Sequence, residues 1–357
     1  MSIKNIAEMT GASASTVARV LCDPDHKCLS ELMKQKILSA AREIGYVPNE
    51  AAKLLKSGKN TVENVRRIYI LLPRITSAEG DPFYTEMLRL TELEIRKNSC
   101  MVAGIWNNEQ FSDEEWCKTA DVAGKVGELF NNASVNCDGL IIIGKCCNAV
   151  LKELKRHEKN IVSIDRNSTN HEVDEVLCDG RKLAITAVDY LVRCGHKSIG
   201  YVGRIINESR FAGYRTKMLE QSLPTLPEHI WETVPSEENG YLAMEYFMKL
   251  ERPPTGIFCS NDILAIGMLH CAKKIRGHFR IPSIISADDI EEAQYTDPLL
   301  TTVSIPKSEM AHFAIAILLD RIKGGHRTIS CMELEGTLVI RESCTSPSNV
   351  GEPEYYI

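Results

Sequence analysis

Four polar residues stand where short apolar runs give way to a loop or a helix. They are Asp165 after Ile161–Ile164, Arg210 at the start of a helical stretch, Asn261 after residues 256–260, and Asp288 after residues 283–287. Such runs read as strands, and in open parallel sheets ligands bind outside the carboxyl ends of the strands. Two carboxylates, an amide and a guanidinium suit a polyhydroxylated ligand, because each hydroxyl both donates and accepts a hydrogen bond. Each residue also has a plainer reading: a carboxylate can cap a helix, and an arginine can sit in a structural ion pair. On the ligand reading, removing Arg210 or Asp288 weakens ligand binding and leaves stability little changed.

Catalysis finds no comparable support. The chain contains no Gly-x-x-x-x-Gly-Lys-Ser/Thr, His-Glu-x-x-His or Gly-x-Ser-x-Gly sequence, the spacings that would mark a phosphate loop, a zinc protease or a nucleophile elbow. Cys22, His26 and Cys28 offer three ligands at irregular spacing, and no metal or other cofactor is expected. The adjacent Cys146 and Cys147 read as small loop or helix residues. The 13 cysteines include no Cys-x-x-Cys pair and several lie inside apolar runs, which fits reduced thiols in a cytosol. The start of the chain lacks the uninterrupted apolar stretch of a secretory signal, no run is long enough to span a bilayer, and a cytoplasmic location is expected.

The elements that must position these residues fall into two kinds. Up to about Gly58 the chain reads as short helices: Ile3, Ile6, Ala7 and Thr10 share one face, Gly11 stops them, and Ser13 caps a second helix with Val17, Val20 and Leu21 inside. Ser30 caps a third helix carrying Ile37, Ala40, Ala41 and Ile44, with Gly45 and Pro48 beyond. Two short helices joined by Gly-Ala-Ser and followed by a third make a helix-turn-helix candidate. Residues 1–60 carry nine Lys and Arg against six Asp and Glu, although the whole chain has a net charge of −6. A locally basic end on an acidic protein hints at a polyanionic partner.

After a polar linker near residues 56–66, apolar runs such as Ile68–Leu72, Gly139–Ile143, Ile199–Val202 and Ser283–Ser286 alternate with helical stretches such as Phe83–Lys97 and Ile263–Lys274. This alternation predicts doubly wound α/β units with parallel sheets, repeated often enough for two subdomains.

Laid out this way, the chain resembles the lac repressor and galactose repressor family from Ser2 to about Cys344. The resemblance rests on Ser2–Glu8, Gly11-Ala12-Ser13, Ser15–Leu21 and Gly45–Asn49, then on Gly195–Tyr201, Ser260–Gly267 and Pro298–Val303 in the expected order. It implies a sequence-specific regulator of transcription with a helix-turn-helix head at 1–48, a hinge helix and linker at 49–65, and a periplasmic-binding-protein-like core at 66–345. The core's N-subdomain is expected at about 66–165 and 304–328, its C-subdomain at about 166–303 and 329–345, and residues 346–357 form a tail. Its partners would be pseudopalindromic double-stranded operator DNA, a small effector such as a sugar, and a second copy of the chain, as a dimer or a tetramer.

The resemblance also implies residue roles. Ser13, Ala14, Ser15, Thr16 and Arg19 would meet DNA in the major groove, where arginine suits bidentate contact with guanine. Asn49, Ala52 and Leu55 would belong to a hinge helix whose leucine wedges into the minor groove. Asp165, Arg210, Asn261 and Asp288 match ligand-contacting positions, with Phe83 and Tyr84 as an aromatic wall. Rival readings are control by a phosphoprotein partner, or a sugar-binding protein that does not bind DNA.

Overall fold

A computed structural model describes residues 3–22, 33–34, 36–37, 40, 65–74, 81–133, 135–275 and 281–347. The chain divides into two compact units, residues 1–65 and 66–357.

In the first unit, α1 (Ile3–Thr10) and α2 (Ala14–Cys22) flank a tight turn. Gly11 adopts a φ of +70°, which a residue with a Cβ rarely takes, and its N–H donates to the Ala7 carbonyl at 2.9 Å. Ile6, Val17 and Val20 pack with Ile37 and Ala40 as a small buried cluster, the stripes expected from their spacing.

The second unit holds two six-stranded sheets. Strands β1 (Arg67–Leu72), β2 (Met101–Asn107), β3 (Gly139–Ile143), β4 (Ile161–Asp165) and β5 (Asp174–Leu177) form the first. Strands β6 (Ile199–Gly203), β7 (Ile230–Glu232), β8 (Gly256–Cys259), β9 (Ser283–Asp288) and β10 (Thr301–Ser304) form the second. Two last strands, β11 (Cys331–Glu333) and β12 (Thr337–Val339), complete one sheet each. The orders are β11-β5-β4-β3-β1-β2 and β12-β10-β9-β8-β6-β7, so both sheets are wound the same way. Every pair is parallel except β10 with β12.

The helices that matter for the site are α3 (Pro82–Lys97), α4 (Glu114–Thr119), α5 (Val122–Asn131), α6 (Asn148–His157), α7 (Gly180–Arg193) and α8 (Ser209–Glu220). Beyond these, α9 (Glu237–Met248) and α10 (Asp262–Ile275) cross so closely that a Cβ at Gly240 would sit 2.0 Å from the Leu264 carbonyl oxygen. The last helix, α11 (Lys307–Ile322), returns to pack on α3 and the first sheet. The chain therefore crosses between lobes three times, after β5, after β10 and after β11.

The boundary expected at 165/166 is corrected by one strand. Val162 pairs with Asp174 and Asp165 with Leu177, so β5 belongs to the first lobe, and β11 joins it there. The segment Asp174-Glu175-Val176-Leu177 is a strand despite two carboxylates. Arg321 and His326 hold the buried Asp174, and the hydroxyls of Ser168 and Thr169 hold Glu175. Among the described residues, no helix is long and apolar enough to cross a membrane.

Candidate functional site

The six residues expected to contact a ligand are buried, none more than 6% exposed. The structure brings Phe83 and Asp288 together through a residue that sequence reasoning missed. Arg166, directly after β4, donates from Nη1 to Asp288 Oδ1 at 2.5 Å, and its guanidinium lies 4.4 Å from the centre of the Phe83 ring. Burial opposes the charge on Arg166, but the Asp288 carboxylate together with Tyr84, Asp165 and Glu208 outweighs it and raises its pKa. Tyr84 meets Phe83 edge to face at 5.4 Å.

Arg210, near the start of α8, makes a fork to a second residue missed in the sequence. Its Nε and Nη2 donate to the two carboxylate oxygens of Glu208 at 2.7 and 3.0 Å, and Nη1 donates to the Ser260 carbonyl at 2.7 Å. Burial would raise the Glu208 pKa, yet the guanidinium holds it down at about 2. Asn261 accepts the Leu264 N–H at 3.2 Å and so caps the start of α10. Asp165 accepts from Asn167 Nδ2 at 3.1 Å. The plain readings of Arg210 and Asn261, as an ion pair and a cap, are therefore both realised, and these side chains engage neighbouring protein groups rather than open space.

The sequence signals for the missed pair were local. Arg166 follows Asp165 directly, and Glu208 stands two residues before Arg210 as the N-cap of α8. A neighbouring opposite charge beside a residue already singled out is the clue.

Arg166 and Glu208 reach a cleft of about 750 Å3, whose wall also includes Gly144, Lys145, Ser163 and Asn207. That size suits a small ligand. Among the described residues, two buried side-chain polar atoms have no partner, Arg166 Nε and the Tyr84 hydroxyl. The hydroxyl lies 3.0 Å from where a Cβ on Gly144 would stand. Unpaired buried polar atoms beside a cleft are what an incoming hydroxyl or carbonyl would satisfy. At the cleft's rim, Asn207 Nδ2 donates to Glu114 Oε2 at 3.3 Å, and Lys145 Nζ donates to the Asn207 carbonyl at 3.4 Å.

The bend after β9 is held by force. Asp288 and Asp289 take φ values of +127° and +50°, which L-residues rarely adopt. Lys307 Nζ donates to both carbonyls at 2.9 and 2.8 Å, and Arg341 Nη2 donates to Asp289 Oδ1 at 2.7 Å. Lys307 also pairs with Glu86 of α3 at 2.9 Å, so one ammonium joins the second sheet to the first lobe.

In the head, Ser13 Oγ accepts the Thr16 N–H at 3.1 Å and caps α2, leaving Ala14 and Ser15 exposed and Thr16 half-buried. Arg19 lies on the backbone of α2. Asn49, Ala52 and Leu55, expected in the hinge, lie outside the described residues, as do His26 and Cys28.

Residues 2–49 match the family described as bacterial regulatory proteins, lacI family, and residues 188–344 match a periplasmic binding protein-like domain. The HTH-type transcriptional repressor CytR of Escherichia coli strain K12 is 28% identical over 351 residues, covering 96% of each chain. Among solved structures, the CelR–cellobiose complex aligns with a TM-score of 0.66 at 18% identity, over 96% of this chain and 100% of that one. The lac repressor dimer bound to operator and an anti-inducer aligns with a TM-score of 0.65 at 18% identity, over 97% of this chain and 99% of the other. With the head, the two like-wound lobes and the matched segments in one order, this chain joins a lacI-family DNA-binding head to a periplasmic-binding-protein-like core, the build of a DNA-binding transcription regulator.

Proposed function

We propose that the chain is a cytoplasmic transcriptional repressor that binds a pseudopalindromic operator as a homodimer. Its DNA affinity is set by a small polyhydroxylated ligand, a sugar, held between the two lobes of the core. The protein acts by binding and not by catalysis. Ala14, Ser15 and Arg19 read base edges, Ser13 and Thr16 fix the start of the reading helix, and Asn49, Ala52 and Leu55 belong to the hinge.

The observation that carries this reading is the Arg166–Asp288 bridge, which ties the end of a strand in one lobe to the end of a strand in the other beside a cleft of suitable size. A ligand that pairs with the unsatisfied Arg166 Nε and Tyr84 hydroxyl changes the free energy of holding the lobes together. Such differential binding is the only way a ligand can shift a two-state equilibrium. Asp165, Arg210 and Asn261 then shape the site from behind its surface.

The test is selection of operator DNA from a random pool, followed by anisotropy titrations across salt and across a panel of sugars, sugar phosphates and nucleosides. A two-fold symmetric site, steep loss of affinity with salt and a shifted affinity with one class of polyhydroxylated ligand are expected. An asymmetric selected site, or no ligand in the panel altering DNA affinity or core stability, overturns the reading.

A further inference from the structure

We propose that His171, Glu175 and Cys331 form a zinc site on the first lobe, beside the cleft wall. The geometry begins with register. Strand β11 runs parallel to β5 with Cys331 opposite Glu175, so their side chains leave the sheet on the same face. Just before β5 the chain bends through Asn170 and His171, with φ values of +56° and +59°, and the bend returns the imidazole to the same carboxylate. His171 Nδ1 lies 3.5 Å from Glu175 Oε1, and one donor atom from each of the three residues falls within 4.8 Å of the others.

The separation of the nitrogen and the oxygen fits a tetrahedral ion. Zinc legs of about 2.0–2.2 Å to nitrogen and oxygen leave those two donors about 3.4 Å apart, and a sulfur leg of about 2.3 Å needs only slightly more room. A nitrogen, a thiolate and a carboxylate oxygen form a set that favours zinc over magnesium or calcium, which take oxygen alone.

The carboxylate is prepared for a cation. The Glu175 side chain is fully buried, and its oxygens accept from Ser168 Oγ at 2.8 Å and from the Thr169 N–H and Oγ1, both at 2.7 Å. Its neighbour Asp174 holds an arginine, whereas among the described residues the one ion-pair partner of Glu175 is His171. Burying a carboxylate without a fixed cation is costly, and a divalent ion removes that cost. His171 and Cys331 are exposed, which leaves an entry path and a fourth position for water. Hydrogen bonds that orient a ligating carboxylate are a usual feature of metal sites. Here they come from Ser168 and Thr169, which with Asn170 line the cleft, so the ion and the cleft wall share one support.

The site escapes sequence reading because Cys331 and His171 are far apart in the chain and meet only through the β5–β11 ladder. The test uses the full-length reduced protein after treatment with chelator. Calorimetric titration with Zn2+ is expected to give one ion per chain at micromolar affinity or tighter. Titration with Co2+ is expected to give a thiolate charge-transfer band with tetrahedral visible bands. Cys331→Ser should abolish the charge-transfer band, and Cys331→Ser and His171→Ala should each weaken Zn2+ binding at least about tenfold. Both side chains are exposed, so the metal-free variants should unfold at the wild-type temperature. Absence of Zn2+ binding at about 100 μM, or a Co2+ spectrum and Zn2+ affinity unchanged in Cys331→Ser, overturns the proposal.

Discussion

Arg166 and Asp288 meet at 2.5 Å across the two lobes, one at the end of β4 and the other at the end of β9, both with side chains almost wholly out of water. Removing one partner of such a pair leaves an uncompensated buried charge, which costs about 3–5 kcal/mol. Asp288→Ala is therefore expected to lower stability by that amount and to blunt the response of DNA binding to effector. The sequence reading, in which stability changes little, is reversed by this geometry. Urea unfolding and effector titration of the operator complex measure the two effects. A wild-type urea midpoint for Asp288→Ala would show that the pair carries no structural weight.

Asp262 is fully buried and accepts from Ser286 Oγ and Thr302 Oγ1, both at 2.6 Å, and from the Ile290 N–H at 2.8 Å. Both hydroxyls use Oδ1 and the peptide uses Oδ2, so Asp262→Asn must turn its N–H2 either toward the Ile290 N–H or toward the two hydroxyls, which then have to switch from donating to accepting. The expected loss is about 1–3 kcal/mol. Burial and the nearby Asp288 raise the Asp262 pKa to about 6. Because this lies above the unfolded value of about 3.9, the folded state holds the proton more tightly, and stability from this group rises as pH falls from 6 toward 4. Denaturant melts of wild type and Asp262→Asn across that range should differ in slope. Parallel curves would rule out Asp262 as the source.

The first lobe carries a dependence of the same sign at higher pH. His326 donates to Asp320 and Asp174, whose carboxylates raise its pKa above the ordinary 6.5. Its contribution is complete below the unfolded pKa and fades as pH rises through the folded one. The melting temperature of His326→Gln should therefore lie below wild type at pH 6 and converge with it at alkaline pH. A constant gap between pH 6 and 9 would mean that the histidine contributes by shape alone. Asp174 acts at the acid end. Burial pushes its pKa up, but Arg321, the Ser330 N–H and His326 bring it below the usual carboxylate range, so its contribution is present above the unfolded pKa and is lost as pH falls through the folded one.

In the head, Ser13→Ala removes the cap of α2 and should cost about 1 kcal/mol in that small unit. Arg19→Ala should weaken specific operator binding by about 1–3 kcal/mol and relax discrimination at one base pair, with unfolding of the core unchanged. Footprinting on single-base operator variants separates the two. Equal loss on operator and random DNA would make Arg19 a phosphate contact and not a base reader.

Strands with a continuous apolar run were legible from sequence: Gly139–Ile143 was expected and β3 has those ends, and Ser283–Ser286 falls within β9. The strands that escaped, β5, β7, β10, β11 and β12, are three or four residues long and carry no apolar run longer than two residues. They hold their places through pairing and through partners distant in sequence, such as Asp174 with Arg321. The same reason hides Arg166. Its type was visible, but Asp288 as its partner depends on how two lobes meet, which no local pattern encodes. Asn261 shows the converse, since its position at a strand end was read correctly while its side chain caps a helix.

The outer strands at 331–333 and 337–339 bear on how the protein is made. A ribosome delivers them after every other strand, so during translation β5 and β10 each present an open edge, and both edges close at nearly the same moment. An unpaired edge in a parallel sheet is a template for another chain. A stop codon just ahead of Cys331 would spare the reading head and most of the cleft, yet it would leave two open edges on one molecule, one in each lobe. Such a product is bound for aggregation and degradation, and a cell carrying the mutation would lose the regulator outright instead of keeping one that no longer senses its ligand.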